Sequence, residues 1–359
     1  MIRLLTSVLI SGLLVGCSSV SYEKPKVKES TVLPQSIAET KWPWKNAQKE
    51  TPLKGVTRIW LEKAEDGSSL DLYTFDFQAN PNLSFGMYDQ DEDDAVPFDN
   101  KADFFDRNAA DIARHITDQK RGKVVALWNG LFHGYDRLAK DKPREGWGTH
   151  IGPNVINDRA RFNFGSYRWA FGVKNTRLGQ RFVVLNQPTI MEMEAQMTFG
   201  AIGAQCLIRK GKPLKLASSG KTPNLDEAGE IMGVDDWRTS RTSMAWSNDH
   251  RYLHLLIINE PDNEPMSRRA ARLGPEPSDG GWRLGDLQRF WVSFGAENAI
   301  NSDGGFVTQL VHLRPDASYS FLPPRWTSVN QRVTLGPKFT RGPKGGGTLM
   351  SFYIVEKTR

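Results

Sequence analysis

The chain contains 359 residues, of which 25% are charged and 39% are hydrophobic, and it carries a formal net charge of +6. A charge of this size fits an anionic surface or substrate without requiring one. No RNA-binding signature, helix-turn-helix pattern or zinc-finger spacing is present, so nucleic acid is not an expected partner.

The N-terminus has the pattern of an exported lipoprotein. Arg3 precedes an apolar run at residues 4–15, which is too short to span a bilayer but is typical of a secretory signal. The Leu-Val-Gly-Cys sequence that ends at Cys17 resembles a bacterial lipoprotein processing site. We therefore expect a signal peptide at residues 1–16, lipidation of Cys17 and a flexible tether at residues 17–50. The expected location is the bacterial cell envelope, on its periplasmic or extracellular face, with the membrane as a partner through the lipid anchor.

Residues 51–359 are predicted to form a single domain, because no linker rich in Pro, Gly or Ser divides them. After lipidation of Cys17, the second cysteine, Cys206, has no cysteine partner. Cys206 lies in the apolar stretch 201–208, so we predict a buried small hydrophobic residue rather than a nucleophile.

An acidic run that begins at Asp89 has part of the pattern of a calcium site. Asp89, Asp91 and Asp93 have EF-hand spacing, but Asp94 takes the place of the required Gly and Asn100 that of the bidentate Glu. We therefore predict a solvated acidic loop. The six histidines show no metal-ligand spacing, so no cofactor and no metal is predicted, and a divalent cation has no support from ligand spacing.

Two segments of the chain follow the same local plan, and the first begins at residue 108. Apolar residues at helical spacing predict a helix over residues 108–119. Gly122 follows, then a strand-like stretch at residues 124–128, and then the pair Asn129-Gly130.

The region between the two segments is rich in strand candidates. Turn-forming residues at 247–250 join two of them into a predicted hairpin, in which Arg241, Ser243 and Ala245 share one face. Residues 260–281, rich in Pro, Glu and Arg, form either an insertion that borders a binding site or a loop without a role. The strand candidates are residues 168–173, 180–185, 198–209, 241–246 and 252–258.

The second segment repeats the plan of the first. A helix is predicted over residues 284–294, followed by Gly295, a strand at residues 299–300 and a glycine turn at residues 302–305. If the two units pack side by side, both turns open into one cleft. The predicted fold class is α+β, with bent mixed or antiparallel sheets packing helices and the two helix-strand-glycine-turn units around that cleft.

Asp303, followed by Gly304 and Gly305, stands at the predicted end of the second strand. Two glycines allow a sharp turn with exposed amide N–H groups, so the carboxylate can lie beside whatever these groups bind. The alternative is an ordinary turn, in which glycine supplies a positive φ.

The order of these motifs resembles the phosphodiester glycosidase family over residues 120–355. The motifs are Trp128-Asn129-Gly130-Leu131-Phe132, the stretch 201–212, Arg241-Thr242 and the run Asn298-Ala299-Ile300-Asn301-Ser302-Asp303-Gly304-Gly305. The resemblance implies Asp303, Arg241 and Asn129 as catalytic residues. It also implies five substrate-binding residues, namely Gly130, Asn298, Asn301, Gly304 and Gly305.

The implied reaction is hydrolysis of a glycosyl-1-phosphodiester bond, with an N-acetylhexosamine-type sugar in a polysaccharide or related glycoconjugate as the substrate. The phosphate leaves as an anion, so the reaction needs positive charge and N–H donors more than a strong acid. Arg241 and the two glycine amides are expected to bind the phosphate, and Asp303 to activate water or to stabilise the developing cation. Asn129 and Asn301 are expected to hydrogen-bond the sugar.

The sequence departs from the family pattern at five positions, and this supports an alternative function. Leu131 and His133 replace a Gly and a Phe, Ser302 replaces a Leu, and Phe306 and Val307 replace a Gly and a Ser. The alternative is a lipoprotein that binds a polysaccharide or phosphodiester on the same fold without cleaving it.

Structural alternatives also remain for the site residues themselves. Arg241 and Asp303 form an internal ion pair in one of them, Asn129 is only a turn residue in another, and Asn298 caps the preceding helix in a third.

Overall fold

The computed structural model of the chain describes residues 46–103, 107–119, 121–137, 146–162, 169–216, 238–260, 281–324, 332–339 and 346–357. Within these residues the molecule is mainly β, with two large antiparallel sheets and three α-helices. The α+β class expected from the sequence is therefore wrong. The signal peptide, Cys17 and residues 261–280 lie outside the described residues. The first described strand starts at Gln48, three residues before the predicted start of the domain at residue 51.

The strands are short and occur along the whole described part of the chain. In chain order they are β1 (Gln48–Leu53), β2 (Val56–Leu61), β3 (Ser69–Asp76), β4 (Leu83–Asp89), β5 (Ala102–Asp103), β6 (Lys123–Asn129), β7 (Gly134–Arg137), β8 (Gly146–Thr149), β9 (Asn154–Ile156), β10 (Arg159–Ala160), β11 (Trp169–Thr176), β12 (Gly179–Asn186), β13 (Phe199–Arg209), β14 (Lys212–Pro213), β15 (Arg241–Trp246), β16 (Tyr252–Asn259), β17 (Asn298–Gly304), β18 (Leu310–Leu313), β19 (Tyr319–Leu322), β20 (Val333–Leu335) and β21 (Met350–Glu356).

The helices are α1 (Ala109–Asp118), α2 (Ile190–Gln196) and α3 (Leu284–Phe294). The predictions of α1 and α3 are confirmed. The side chain of Asn108 caps α1 by accepting from the backbone N–H groups of Ala110 and Asp111 over 3.0 and 3.2 Å. Gly295, with a φ of 78°, ends α3 in the left-handed conformation that glycine adopts without strain.

The two large sheets contain twelve and six strands, and all pairings between described strands are antiparallel. The main path of the larger sheet is β1-β2-β3-β16-β15-β17-β13-β11-β12, and β9, β10 and β14 extend it beside β13. The smaller sheet has the order β20-β19-β18-β6-β21-β4. A third, small sheet contains β5, β8 and β7. The predicted hairpin is confirmed as β15 and β16.

The main core lies between the two large sheets, which pack face to face through aromatic side chains. Phe85 of the smaller sheet meets Phe171 of the larger sheet with 6.1 Å between ring centroids. Trp128 and Phe75 meet across the same interface at 6.4 Å. Cys206 is fully buried in this core, as predicted.

The helices cover the outer faces of the sheets and contribute separate clusters of apolar side chains. Ile112 and Ile116 of α1 pack on the smaller sheet. Leu287 and Trp291 of α3 pack on the larger sheet. The helical periodicity was identified correctly, but it belongs to α1 and α3, which only cover the outer faces of the sheets. This is why the fold class was predicted wrongly. The first four strands, β1 to β4, were not predicted at all.

A buried charged cluster ties the larger sheet to the smaller one. Asp71 on β3 accepts from Arg58 on β2 over 2.7 Å at Nε and also pairs with Arg332, which precedes β20. Burial alone would raise the pKa of Asp71, but the guanidinium groups of Arg332 and Arg58 outweigh it and lower the pKa to about 2. Asp71 therefore stays ionised, and it neutralises two cations that have little access to water.

We predict that Asp71→Asn lowers the free energy of unfolding by about 3–5 kcal/mol, because Arg332 loses its carboxylate partner and the buried Arg58 keeps only Glu50. Urea unfolding at neutral pH measures this loss. The control is Asp316→Asn, since Asp316 is exposed, and its expected effect is within about 0.5 kcal/mol. Equal stability of the two variants would contradict a role for the cluster in joining the sheets.

Candidate active site

The ends of β6 and β17 meet, although the two strands belong to different sheets. The backbone N–H of Asp303 donates to the carbonyl of Gly130 over 3.0 Å. The side-chain amide of Asn129 donates to the carbonyl of Asp303 over 2.9 Å. The two segments that share a local plan in the sequence are thus in direct contact. The second one is a strand as far as Gly304, and the positive φ of 65° falls at Gly305.

Asn129 is fully buried and is held by the protein on both sides of its amide. Its Oδ1 accepts from the hydroxyl of Thr242 over 2.8 Å and from the backbone N–H of Gln309 over 3.3 Å. With Nδ2 bound to Asp303, this side chain positions the strand ends. Both ends of its amide are therefore engaged within the protein, and the expected hydrogen bond to a sugar stays a prediction.

The carboxylate of Asp303 faces His133. Oδ2 of Asp303 lies 3.2 Å from Nδ1 of His133, and Oδ1 accepts from the backbone N–H of Gly304 over 2.7 Å. The side chain of Asp303 keeps 12% of its surface exposed, against 4% for His133. The sequence analysis noted His133 only as a departure from the family pattern. The sequence signal that could have identified His133 as a site residue was its position, three residues after Gly130.

Arg241 lies beside the same strand end. It is the first residue of β15, where it pairs in register with Gly304 of β17. A Cβ on Gly304 would lie 3.6 Å from Cδ of Arg241 and 2.6 Å from the carbonyl of Ser240, so the glycine lets the two backbones approach closely. Nε of Arg241 donates to the carbonyl of Trp282 over 2.9 Å. Among the described residues Asp303 forms its ion pair with His133 and not with Arg241.

The two glycine amides are occupied by the protein. The N–H of Gly304 donates to the carboxylate of Asp303, and the N–H of Gly305 donates to the carbonyl of Ser240 over 2.8 Å. Buried Glu260 fixes Ser240 in turn by accepting from its N–H over 2.7 Å. The sequence-based expectation that these amides are free to bind a phosphate is not met.

Asn298 and Asn301 are also engaged within the protein. Asn298 lies at the opposite end of β17, about 20 Å from Gly304 along an extended strand. It accepts from the N–H of Lys210 over 3.1 Å and donates to Asn248 over 3.0 Å, so it is not part of the site and does not cap a helix. The fully buried Asn301 donates to Gln205 over 2.7 Å.

Two of the departures from the family pattern fill the interior. Leu131 is fully buried in the main core, and Val307 is 2% exposed. The backbone of Gly203 on β13 passes directly beside this turn: a Cβ there would lie 2.7 Å from the carbonyl of Phe132. The segment after Gly130 is therefore tightly packed, and the side chain of Phe306 lies outside the described residues.

The acidic run is not a solvated loop, and that prediction was wrong. Asp89 and Asp91 are 1% and 0% exposed. Asp89 accepts from Asn154 over 2.5 Å and lies 3.1 Å from Nε2 of His150, while Asp91 accepts from the N–H of Asn100 over 3.1 Å. Asn154 and His150 come from more than fifty residues away, so local composition gave no sign of the burial of Asp89.

In the described part of the chain, no group of three or more His, Cys, Asp or Glu side chains is arranged to hold a metal ion. No helix in the same residues is long and apolar enough to cross a membrane.

The solved structures with a chain trace similar to that of this protein include three that are described below. A zebrafish N-acetylglucosamine-1-phosphodiester alpha-N-acetylglucosaminidase catalytic domain has 14% identity and a TM-score of 0.46, with 87% of this chain and 88% of that chain covered. A hypothetical protein from Synechocystis has 13% identity and a TM-score of 0.43, covering 86% and 63%. A protein from Burkholderia pseudomallei K96243 described as exported has 10% identity and a TM-score of 0.45, covering 83% and 74%.

No family model and no curated protein sequence matches the chain. Likenesses this remote assign neither a family nor an activity.

Because Asp91 in the acidic run is buried, the stability of the protein is expected to depend on pH. Burial, and next the charge of Asp89, raise the pKa of Asp91 to about 6, while His150 and the N–H of Asn100 act in the opposite direction. Because an unfolded Asp has a pKa near 4, the folded state binds this proton more tightly. The contribution of Asp91 to stability therefore falls as the pH rises from about 4 to 6.

We predict that Asp91→Asn removes this slope and stabilises the protein at pH 7 by up to about 2–3 kcal/mol, the equivalent of two pKa units. Urea unfolding between pH 4 and pH 7 measures the difference between the variant and the wild type. Parallel stability curves would show that Asp91 does not titrate in this range.

Proposed function

We propose that the chain hydrolyses a glycosyl-1-phosphodiester bond of an N-acetylhexosamine-type sugar in an envelope polysaccharide or related glycoconjugate. The pair of Asp303 and His133 at the junction of β6 and β17, beside Arg241, carries the proposal. The motif order around Asn129, Arg241 and Asp303, which resembles the phosphodiester glycosidase family, supports the same reaction.

The reaction breaks the bond between the anomeric carbon and the phosphate oxygen. Positive charge develops on the sugar ring, and the phosphate leaves as an anion with the bonding electrons. Such a leaving group does not need a strong acid, but it gains from a nearby cation. Arg241 takes this role, because a guanidinium can give two parallel hydrogen bonds to phosphate oxygens.

Asp303 takes the proton of the attacking water in this scheme. Its exposed fraction of 12% is the part that contacts solvent, and Gly304 holds the other carboxylate oxygen in place. When protonated, His133 stabilises the ionised carboxylate and fixes its orientation. Asn129 acts one step further from the substrate, since it holds the backbone of Asp303.

The sequence pattern at Cys17 supports the proposed location. A lipid on Cys17 would hold the domain at the membrane surface, within reach of envelope carbohydrate. In this proposal the partners are carbohydrate or sugar phosphate and the membrane.

A second candidate function is binding of the same ligands without cleavage. The occupied N–H groups of Gly304 and Gly305 favour it, because the phosphate then lacks the backbone donors that would stabilise its departure. Leu131 and Val307, both in the interior, support the same candidate.

We predict that Asp303→Asn lowers the rate of sugar release about 10²–10⁴-fold, the usual contribution of a general base. The measurement follows free N-acetylglucosamine from UDP-N-acetylglucosamine and related sugar-1-phosphodiesters. The control is Asp249→Asn, since Asp249 is an exposed carboxylate in the β15–β16 turn, and full activity is expected.

Equal release by the wild type and Asp303→Asn would remove Asp303 from the mechanism. Binding of the same compounds by both proteins, with release by neither, would support the second candidate function.

We predict that His133→Phe lowers kcat about 10–100-fold with little change in KM, because the carboxylate loses one charged hydrogen bond. His133→Gln keeps a hydrogen-bond donor, so its activity is expected to be closer to wild type than that of His133→Phe. Equal kcat values for the wild type and His133→Phe would show that His133 only fills space.

A further inference from the structure

The outer edge of the smaller sheet carries a pocket of about 350 Å³. Phe85 and Met87 of the edge strand β4 form one wall, and Asn175 and Phe199 of the larger sheet lie opposite. The pocket is separate from the junction at Asp303, because β21 lies between β4 and β6.

At one residue of this edge, a side-chain amide takes the place of a neighbouring strand. The N–H of Phe85 donates to Oε1 of Gln180 over 2.6 Å. Nε2 of Gln180 donates back to the carbonyl of Phe85 over 2.9 Å. Two adjacent polar atoms on one group are therefore sufficient to satisfy an outward-facing residue of β4.

Met87 is the next residue of β4 that faces outward. In an antiparallel ladder, the N–H and C=O of one residue point to the same side, and the side alternates along the strand. Gln90 donates to Leu349, the residue before β21, over 2.9 Å, which places Gln90 on the inner side and Met87, like Phe85, on the outer side. No hydrogen bond joins these outer groups of Met87 to another described residue.

The opening covers Met87 and, at the end of β4, Asp89. Gln180 occupies the edge at Phe85, and beyond Asp89 the chain turns into a short 3-10 helix at Gln90–Glu92. A partner strand needs several consecutive residues and does not fit between these two limits. A group with two adjacent polar atoms does fit, as Gln180 demonstrates on the neighbouring residue.

We propose that this pocket binds one carbohydrate unit through a pair of vicinal hydroxyls. One hydroxyl oxygen accepts from the N–H of Met87, and the other hydroxyl donates to its C=O. The amides of Asn157 and Asn175 at the exposed rim supply further hydrogen bonds, and the ring of Phe199 supplies an apolar face for the sugar C–H groups. The site goes beyond the proposed hydrolysis, since binding here requires no bond cleavage.

Selective ¹⁵N labelling of methionine gives a direct test, because the chain has nine methionines. The variant Met87→Leu assigns the Met87 amide signal. On titration with glucose, this signal is expected to shift in a saturable manner. The signal of Met244 on β15, which pairs with Ile300 of β17, reports binding near Asp303 instead.

The variants Asn157→Ala and Asn175→Ala are each expected to weaken glucose binding about 3–10-fold, the equivalent of one hydrogen bond. Both side chains are exposed. Asn157 has a φ of 53° and Asn175 accepts from Gln180 over 2.9 Å, so circular dichroism is used to check that each variant keeps the fold. Gln48→Ala, on the far edge of the larger sheet, is the control and should bind as the wild type does. Asp303→Asn should also bind unchanged, which separates this site from the proposed hydrolysis.

Three outcomes would overturn the proposal. The first is an unmoved Met87 signal at high glucose concentration. The second is an equal response to cyclohexanol, which lacks the second hydroxyl. The third is a response to acetamide but not to glucose, which would assign the edge to a side-chain amide of a protein partner.

Discussion

At the junction of β6 and β17, pairing with neighbouring strands comes to an end. The backbone N–H and C=O groups at this buried point need other hydrogen-bond partners. The buried amide of Asn129 supplies them, because it binds the carbonyl of Asp303, the N–H of Gln309 and the hydroxyl of Thr242. One side chain thus fixes β6, β15, β17 and the start of β18 in one arrangement. The position of the Asp303 carboxylate, and with it any chemistry at this end of the sheets, depends on that arrangement.

Local patterns in the sequence were sufficient for the elements that form through local interactions. The helical spacing of apolar residues predicted both long helices, Gly295 marked the end of the second, and turn residues predicted the β15–β16 hairpin. The sheets could not be derived in this way, because their pairings join distant segments. The strands β1 to β4 were overlooked, although Leu83, Phe85 and Met87 of β4 alternate with small or polar residues, and a mainly β fold was therefore read as α+β.

The same limit applies to the site. The repeated helix-strand plan predicted that the turns at Asn129 and Asp303 open into one cleft if the two units pack side by side. It did not reveal that the polar side chains of Asn129, Asn298 and Asn301 are used by the protein itself. An asparagine that binds a ligand and one that satisfies a buried backbone group look identical in a sequence. The burial of Asp89 and Asp91 was missed for a similar reason, since His150 and Asn154 approach them from another part of the chain.

The strand β21 is the last described strand, yet it occupies an interior place between β6 and β4 in the smaller sheet. The smaller sheet therefore cannot close before this late segment of the chain has been synthesised. Contacts such as that between Asn129 and Asp303, 174 residues apart, give the fold a high contact order and favour slow folding. Until β21 inserts, the edges of β4 and β6 are exposed together, and an incomplete chain at that stage is open to aggregation by strand pairing.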